Sequence, residues 1–325
     1  MNASMLTRVA RAGVRLGYHG LLNRHFLKSA LAGKVTILLY HRIAEHDEDP
    51  WLEECGVPYT PPSIFQKHLE MLLSVKGQVL TMDELLCVPG NVSRPRFVIS
   101  FDDGFADNFT TARSILEKYG LRGLFFIATS LPNKHRLWDH RLSWLHGQPP
   151  ARAKMESMLR AWLPKPMARH NALWCLRHLL PPQEIERMLD TLEGEFSPFP
   201  QSIAEKIYGS WEQIRDTANA GHQIGAHTVH HWMRHTIGLE SFRSELLASK
   251  AELEKQLARQ VTAFSYPYNS YLFTDVELCR EVGFTQIFTV DPGRFAPGTL
   301  QDTVPRRTVF SVHDSLPRFS QLLLD

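Results

Sequence analysis

The stretch from Arg96 to Phe109 constrains this chain more than any other. Its first half, Arg96-Phe97-Val98-Ile99-Ser100-Phe101, is an apolar run rich in Val, Ile and Phe and reads as a buried strand. The run stops at Asp102-Asp103-Gly104, and Phe105, Ala106, Asp107, Asn108 and Phe109 follow. Two carboxylates are therefore expected at the C-terminal mouth of a core strand. Adjacent negative charges repel and are costly to bury unless water, a cation or a proton compensates them. The plain alternative is a turn, which Asp-Gly favours, although a turn requires only one Asp before its Gly.

A chain of 325 residues with 43% hydrophobic content can bury a full core, as one α/β barrel or as two smaller domains. The formal charge of +2, with no basic stripe interleaved with aromatics beyond the N-terminus, argues against a nucleic-acid partner. Cys55, Cys87, Cys175 and Cys279 lie far apart with no C-x-x-C pair, so buried free thiols are expected rather than a zinc knuckle or redox motif. Residues 1–44 contain no acidic residue, and Arg8, Arg11 and Arg15 recur at helical spacing with His19, opposite Leu6, Val9, Ala10 and Val14. That pattern predicts a basic amphipathic helix within segment 1–33. It would lie peripherally in a membrane interface or pack on the domain with its arginines in solvent; an organelle transit peptide is a third reading. No span and no cleavable signal peptide are read, so a cytoplasmic protein is expected, with membrane association at the inner face as the alternative.

Val35-Thr36-Ile37-Leu38-Leu39-Tyr40 is a second buried-strand pattern, ending on His41 and Arg42. A helix over Ser63–Leu73, capped by Ser63, a helix over Thr110–Tyr119 and a strand over Leu121–Thr129 give the strand-helix-strand grammar of a parallel sheet. From 131 to about 209 the grammar changes. Trp138, Trp144, Trp162 and Trp174 fall there beside proline clusters, which delimit helices near 151–163, 167–180 and 183–192 with no strand among them. This helical insertion is expected to cover the mouth, so that its excision would change substrate choice and leave metal binding intact. Afterwards the rhythm resumes with helices at 210–220, 241–257 and 274–282 and strands at 222–226, 261–266, 285–290 and 303–309.

His227 and His231 stand four apart after a predicted strand, so one helical turn would put both imidazoles on one side. With one Asp they form a set suited to a catalytic zinc, or to iron, cobalt or manganese. His222, His230 and His235 are assigned to surface or supporting positions.

The stretch Ser100-Phe101-Asp102-Asp103-Gly104 with Asp107-Asn108, followed by His227-Thr228-Val229-His230-His231, resembles two signatures of the polysaccharide deacetylases, carbohydrate esterase family 4 with its NodB-homology domain. Trp211 to His227 and Leu39-Tyr40-His41-Arg42 resemble that family too. The likeness runs from about Val35 to Phe310, outside most of the insertion. It implies an irregular (β/α)7-type barrel over 34–325, with the site at the C-terminal ends of the strands.

By that resemblance Asp103, His227 and His231 would bind a divalent ion, Zn2+ foremost, with Co2+, Mn2+, Fe2+ or Ni2+ as alternatives. Asp102 would be the general base. Phe264-Ser265-Tyr266-Pro267-Tyr268-Asn269 sits where the family carries an Arg-x-Pro-Tyr-Gly motif. Ser265 replaces the arginine and Asn269 the glycine, which leaves open how Asp102 is oriented. Tyr268 would offer its backbone N–H to the oxyanion. His313 would be the general acid, with His41 a competing site residue; His41 and Tyr266 are assigned to substrate binding. The expected activity is removal of N-acetyl groups from amino sugars of a polysaccharide or glycolipid. Alternatives are a deformylase or deacetylase of a lipid-linked sugar precursor at the membrane face, an idle glycan-binding module, and an iron-dependent oxygenase, which the βα pattern disfavours.

Overall fold

Short apolar runs become parallel strands here because both of their faces are covered. The computed structural model describes residues 21–46, 48–54, 56–87, 93–162, 172–296 and 302–325; Arg8, Arg11, Arg15 and Cys55 lie outside them. Among the described residues the strands are β1 (Val35–Tyr40), β2 (Gln78–Val79), β3 (Arg96–Phe101), β4 (Leu124–Ile127), β5 (Gln223–Ala226), β6 (Ala263–Ser265), β7 (Gln286–Thr289), β8 (Val304–Pro305) and β9 (Arg307–Thr308). Their order is β8-β7-β6-β5-β4-β3-β1-β9, with β2 beside the start of β3, and every pairing is parallel. The result is a nearly closed barrel surrounded by helices.

Alternation along the strands sorts side chains into two layers. Leu38, Tyr40, Phe97, Ile99, Phe101, Phe125, Ile127, Phe264 and Ile287 pack outward under the helices. Val35, Ile37, Val98, Leu124, Phe126, Ala263 and Phe288 fill the interior. Continuing the inward series to the C-terminal ends of the strands reaches His41, Asp102, His227 and Val290 just past them and Ser265 as the last residue of β6. Gly225 lies in the same inward series, and a Cβ there would fall 2.6 Å from the Phe126 ring, so the close approach of β5 and β4 requires glycine.

The single strand expected over 303–309 is divided, and the division closes the barrel. Val304 and Pro305 pair with Phe288 and Thr289 of β7, whereas Arg307 and Thr308 pair with Leu38 and Leu39 of β1. Pro305 has no N–H to extend one ladder. The chain therefore crosses from one edge to the other at Arg306, whose N–H donates to the Thr289 carbonyl at 2.9 Å.

Several helices differ from expectation. Pro62–Ser74 starts with proline at its first position, so Ser63 is not its cap. The expected helix at 110 begins instead as a π turn, Asn108–Ala112, that runs into Arg113–Lys118. Ser210 and Gln213 do form a reciprocal capping box on Trp211–Asn219.

The insertion contains Trp138–His146, Pro149–Trp162, Ala172–Leu179, Pro182–Glu195 and Gln201–Ile207. The first and last were not anticipated. In Trp138–His146 the polar residues Asp139, His140 and Ser143 are buried, which erases the amphipathic pattern. This part has its own core, including Leu142, Met155, Leu176 and Leu189, and Trp138 stacks on Trp232 at 4.5 Å.

Candidate active site

Asp102 is the inward continuation of Val98 and Ser100 and is buried. Arg306 holds it with two parallel bonds, Nη1 to Oδ1 at 2.6 Å and Nη2 to Oδ2 at 2.7 Å. The Ser265 hydroxyl lies 3.3 Å from Oδ2 and 2.5 Å from Arg306 Nη2. The guanidinium lies over Phe126, 5.0 Å from the ring centre, so its charge is sequestered from water and directed at one carboxylate. Burial alone would raise the Asp102 pKa, but the Arg306 and His227 charges and the Arg306 hydrogen bonds hold it below its ordinary value. That environment favours the ionised form of Asp102, and Arg306 fixes its orientation.

Asp103 would normally point to the opposite face. It adopts φ 74° and Gly104 φ 97°, and this left-handed pair turns the chain at the strand end so that the second carboxylate also faces the mouth. His227 donates Nδ1–H to the Ser265 carbonyl at 2.8 Å, which leaves its Nε2 3.5 Å from Asp103 Oδ1. His231 Nδ1 lies 3.2 Å from Asp139 Oδ2, and its Nε2 lies 3.2 Å from Asp103 Oδ1. The helical turn expected between the two histidines is absent. Thr228 and His231 both take left-handed conformations, at φ 63° and 60°, and the Thr228 hydroxyl accepts the His231 N–H at 3.1 Å. Strained backbone of this sort persists where surrounding structure over-determines it.

One ligand atom each from Asp103, His227 and His231 falls within 4.8 Å of the others, all three residues being buried. The donor set fits a divalent cation. Each imidazole presents Nε2 inward while Nδ1 is tied to an acceptor, as metal-ligating histidines are. Burial would lower the His231 pKa, yet Asp103 and Asp139 push it up to about 10. The cluster thus calls for positive charge, which a proton or a cation can supply.

These groups line a cleft of about 360 Å³ together with His41, Asp139, His140, Arg177, Tyr266, Tyr268, Arg306 and Phe310. His41 ends β1, with its carbonyl accepting from Asn108 Nδ2 at 2.6 Å and its Nδ1 buried without a hydrogen-bond partner. Asp107 clamps the next residues, accepting Arg42 Nε at 2.5 Å and the Ile43 N–H at 2.9 Å. Arg42, Asp107 and Asn108 therefore fix the end of β1 rather than meet substrate. Asn269 takes the glycine's place at φ 53°. Its Oδ1 accepts the Val290 N–H at 2.6 Å and its Nδ2 reaches Asp291 at 3.1 Å.

Two expected site residues are placed differently. Tyr266 lines the cleft with its ring, while its hydroxyl is turned to Cys279 Sγ at 3.3 Å and the ring stacks on Tyr271 at 4.9 Å. His313 is not brought to the cleft. Its Nδ1 accepts the Phe310 N–H at 3.0 Å and its carbonyl meets His68 Nε2 at 2.9 Å, because the turn over Ser311–His313 presents Phe310 to the cleft instead. Of the remaining histidines, His222 is buried against Gly123 and Glu117, while His230 pairs with Glu245 and His235 with Ser270.

Arg306, Asp139, His140 and Arg177 were not found from sequence. Arg306 had a partial signal, an Arg306-Arg307 pair amid Thr303–Val309 while the expected motif arginine was missing. The other three lie in the insertion, where no motif marked them. The insertion contributes these polar residues to the cleft wall, where tryptophans covering the mouth were expected. Trp138 is core, and Trp144 packs on Trp51 at 5.7 Å and Phe199 at 6.0 Å.

A family model of polysaccharide deacetylases matches residues 90–287. A curated relative, YxkH of Bacillus subtilis, is 21% identical over 272 residues, covering 82% of this chain and 68% of its own length. The deacetylase PplD of Streptococcus pyogenes, solved in complex with acetate, superposes with a TM-score of 0.59 at 15% identity, covering 90% of this chain and 98% of its own. IcaB from Ammonifex degensii gives 0.57 at 18%, covering 90% and 97%. The chain belongs to the polysaccharide deacetylase family, N-deacetylating hydrolases on a NodB-like barrel.

Proposed function

We propose that this protein is a metal-dependent N-deacetylase that hydrolyses the acetamide of an amino sugar within a glycan or glycolipid. The observation that carries this reading is the division of labour between two adjacent acids: Asp103 faces the histidine pair, whereas Asp102 is held by Arg306 and lies 3.9 Å from His227 Nε2. Asp103, His227 and His231 would hold the ion. When bound, a divalent cation of this kind supplies Lewis acidity and lowers the pKa of water at the site.

The rest follows from the chain's own residues. Asp102, kept ionised by Arg306, accepts the proton of the attacking water. The Tyr268 N–H, on the turn beside the ligands, donates to the carbonyl oxygen as it gains charge. Collapse breaks the C–N bond, and the amine leaves with a proton. We assign that proton to His41 rather than His313, because His41 lines the cleft near both acids and retains an unpartnered buried nitrogen. Burial holds the His41 pKa below its ordinary value, which makes it a ready donor once protonated.

A lipid-bearing sugar is the second reading. Phe310 of the cleft wall is 48% exposed and Val312 51%, an apolar edge that would suit an acyl or isoprenoid tail. Acetate release from N-acetylated oligosaccharides and from lipid-linked sugars, before and after chelation, tests both readings. Release that chelator abolishes and added metal restores is expected. Turnover indifferent to chelator overturns the metal-dependent mechanism.

A further inference from the structure

The helical insertion reaches His231, one of the candidate metal ligands, through Asp139. Asp139, in the first turn of Trp138–His146, is 4% exposed. Its Oδ1 accepts the His140 N–H at 2.9 Å. Its Oδ2 faces His231 Nδ1 at 3.2 Å and also accepts the Tyr268 hydroxyl. A buried carboxylate without such partners would be strongly disfavoured. Here every partner belongs to the cleft, and one of them is in the cluster that would hold the ion.

On the reading of that cluster as a metal site, we propose that Asp139 is the positioning carboxylate for His231. It accepts the Nδ1–H, fixes the tautomer that turns Nε2 toward Asp103, and strengthens the imidazole as a donor. Through the Tyr268 hydroxyl it also ties the turn carrying the Tyr268 N–H to the same carboxylate. His227 has the corresponding acceptor from the barrel itself, the Ser265 carbonyl at 2.8 Å. One histidine is thus oriented by the barrel and the other by the insertion. The insertion is then an integral part of the site, contrary to the expectation that it could be excised with metal binding intact.

A purely structural role for Asp139 makes a different prediction. As an acid in the first turn of a helix it would contribute to helix stability through the dipole, and its loss would lower Tm and leave metal affinity unchanged. The test measures Zn2+ affinity by chelator competition on the full chain, with the visible spectrum of the Co2+-loaded protein as a second readout. Asp139→Asn should weaken Zn2+ binding about 10–100-fold, the usual effect of removing such a partner, and should shift the Co2+ spectrum. Arg141→Met serves as control. Arg141 anchors the same helix through Glu186 at 2.7 Å and Glu193 at 2.9 Å, so its loss should lower Tm at unchanged Zn2+ affinity.

Wild-type Zn2+ affinity and an unaltered Co2+ spectrum in folded Asp139→Asn overturn the proposal. Should that variant not fold, nitrogen-15 NMR of the zinc-loaded wild type decides. His231 protonated on Nδ1 is expected, and an Nδ1-bound metal overturns the assignment. Failure of wild type to bind Zn2+ or Co2+ would instead overturn the reading of the cluster as a metal site.

Discussion

The barrel mouth and the helical insertion both contribute to the cleft, but in physically different ways. In the barrel the period of the strands sets direction, so Asp102, His227 and Ser265 face inward for the same reason as Val98, Gly225 and Ala263. In the insertion no periodicity singles out Asp139, His140 or Arg177, which enter the cleft only because their helices pack beside it. A site can thus be half encoded in a repeating pattern and half in how two cores meet.

The largest expected effect tests the barrel half. Asp102→Asn should keep its metal and lose about 10²–10⁴-fold in turnover, the usual cost of removing a general base, whereas Asp103→Asn should lose the metal itself. Elemental analysis of both purified variants beside acetate release reads the outcome. A metal-free Asp102→Asn would exchange the roles or make both acids ligands. If both variants stayed fully active, the two acids would be nothing more than a turn.

Next comes the pair that closes the barrel. Arg306→Met leaves Asp102 buried without its partner and should cost about 3–5 kcal/mol of stability, as broken buried pairs do. Urea denaturation would show it. Restoring an arginine at the motif position, in Ser265→Arg with Arg306→Ser, should recover part of the loss if the two positions serve one carboxylate. No recovery would mean that the crossing at Arg306 matters more than its charge.

On the insertion side, excising 131–209 should remove Asp139 and weaken Zn2+ binding together with substrate selection. Unchanged Zn2+ affinity in a folded excision variant would return the insertion to the role of a simple cover.

The smallest effect lies away from the cleft, on the outer layer of the barrel. Burial holds His68 and His222 at pKa values of about 4, against 6.5 in the unfolded chain. Between those values the unfolded chain binds more protons, so stability is complete above about pH 6.5 and falls as pH drops toward 4. Tm measured across that window should decline. His222→Gln, which removes one of the two groups, should make the decline shallower, and an unchanged slope would assign acid sensitivity elsewhere.

The amino-acid sequence by itself determined most of the core strands, the placement of two acids at a strand mouth and the likeness that runs through Asp103, His227 and His231, because apolar runs and short motifs are local properties of a chain. It also showed that an arginine was missing at Ser265. Only the tertiary structure decided what replaced it. Arg306 reaches Asp102 because Val304–Pro305 and Arg307–Thr308 pair with opposite edges of the barrel, a closure between residues some two hundred positions from the acid. The same holds for His313, which the family resemblance suggested and a turn carried away, and for Asp139, whose carboxylate acquires its partners only when the insertion docks. Local pattern fixes which face a side chain takes, but the groups that share a buried charge are set by which elements meet, and burial makes those partnerships obligatory.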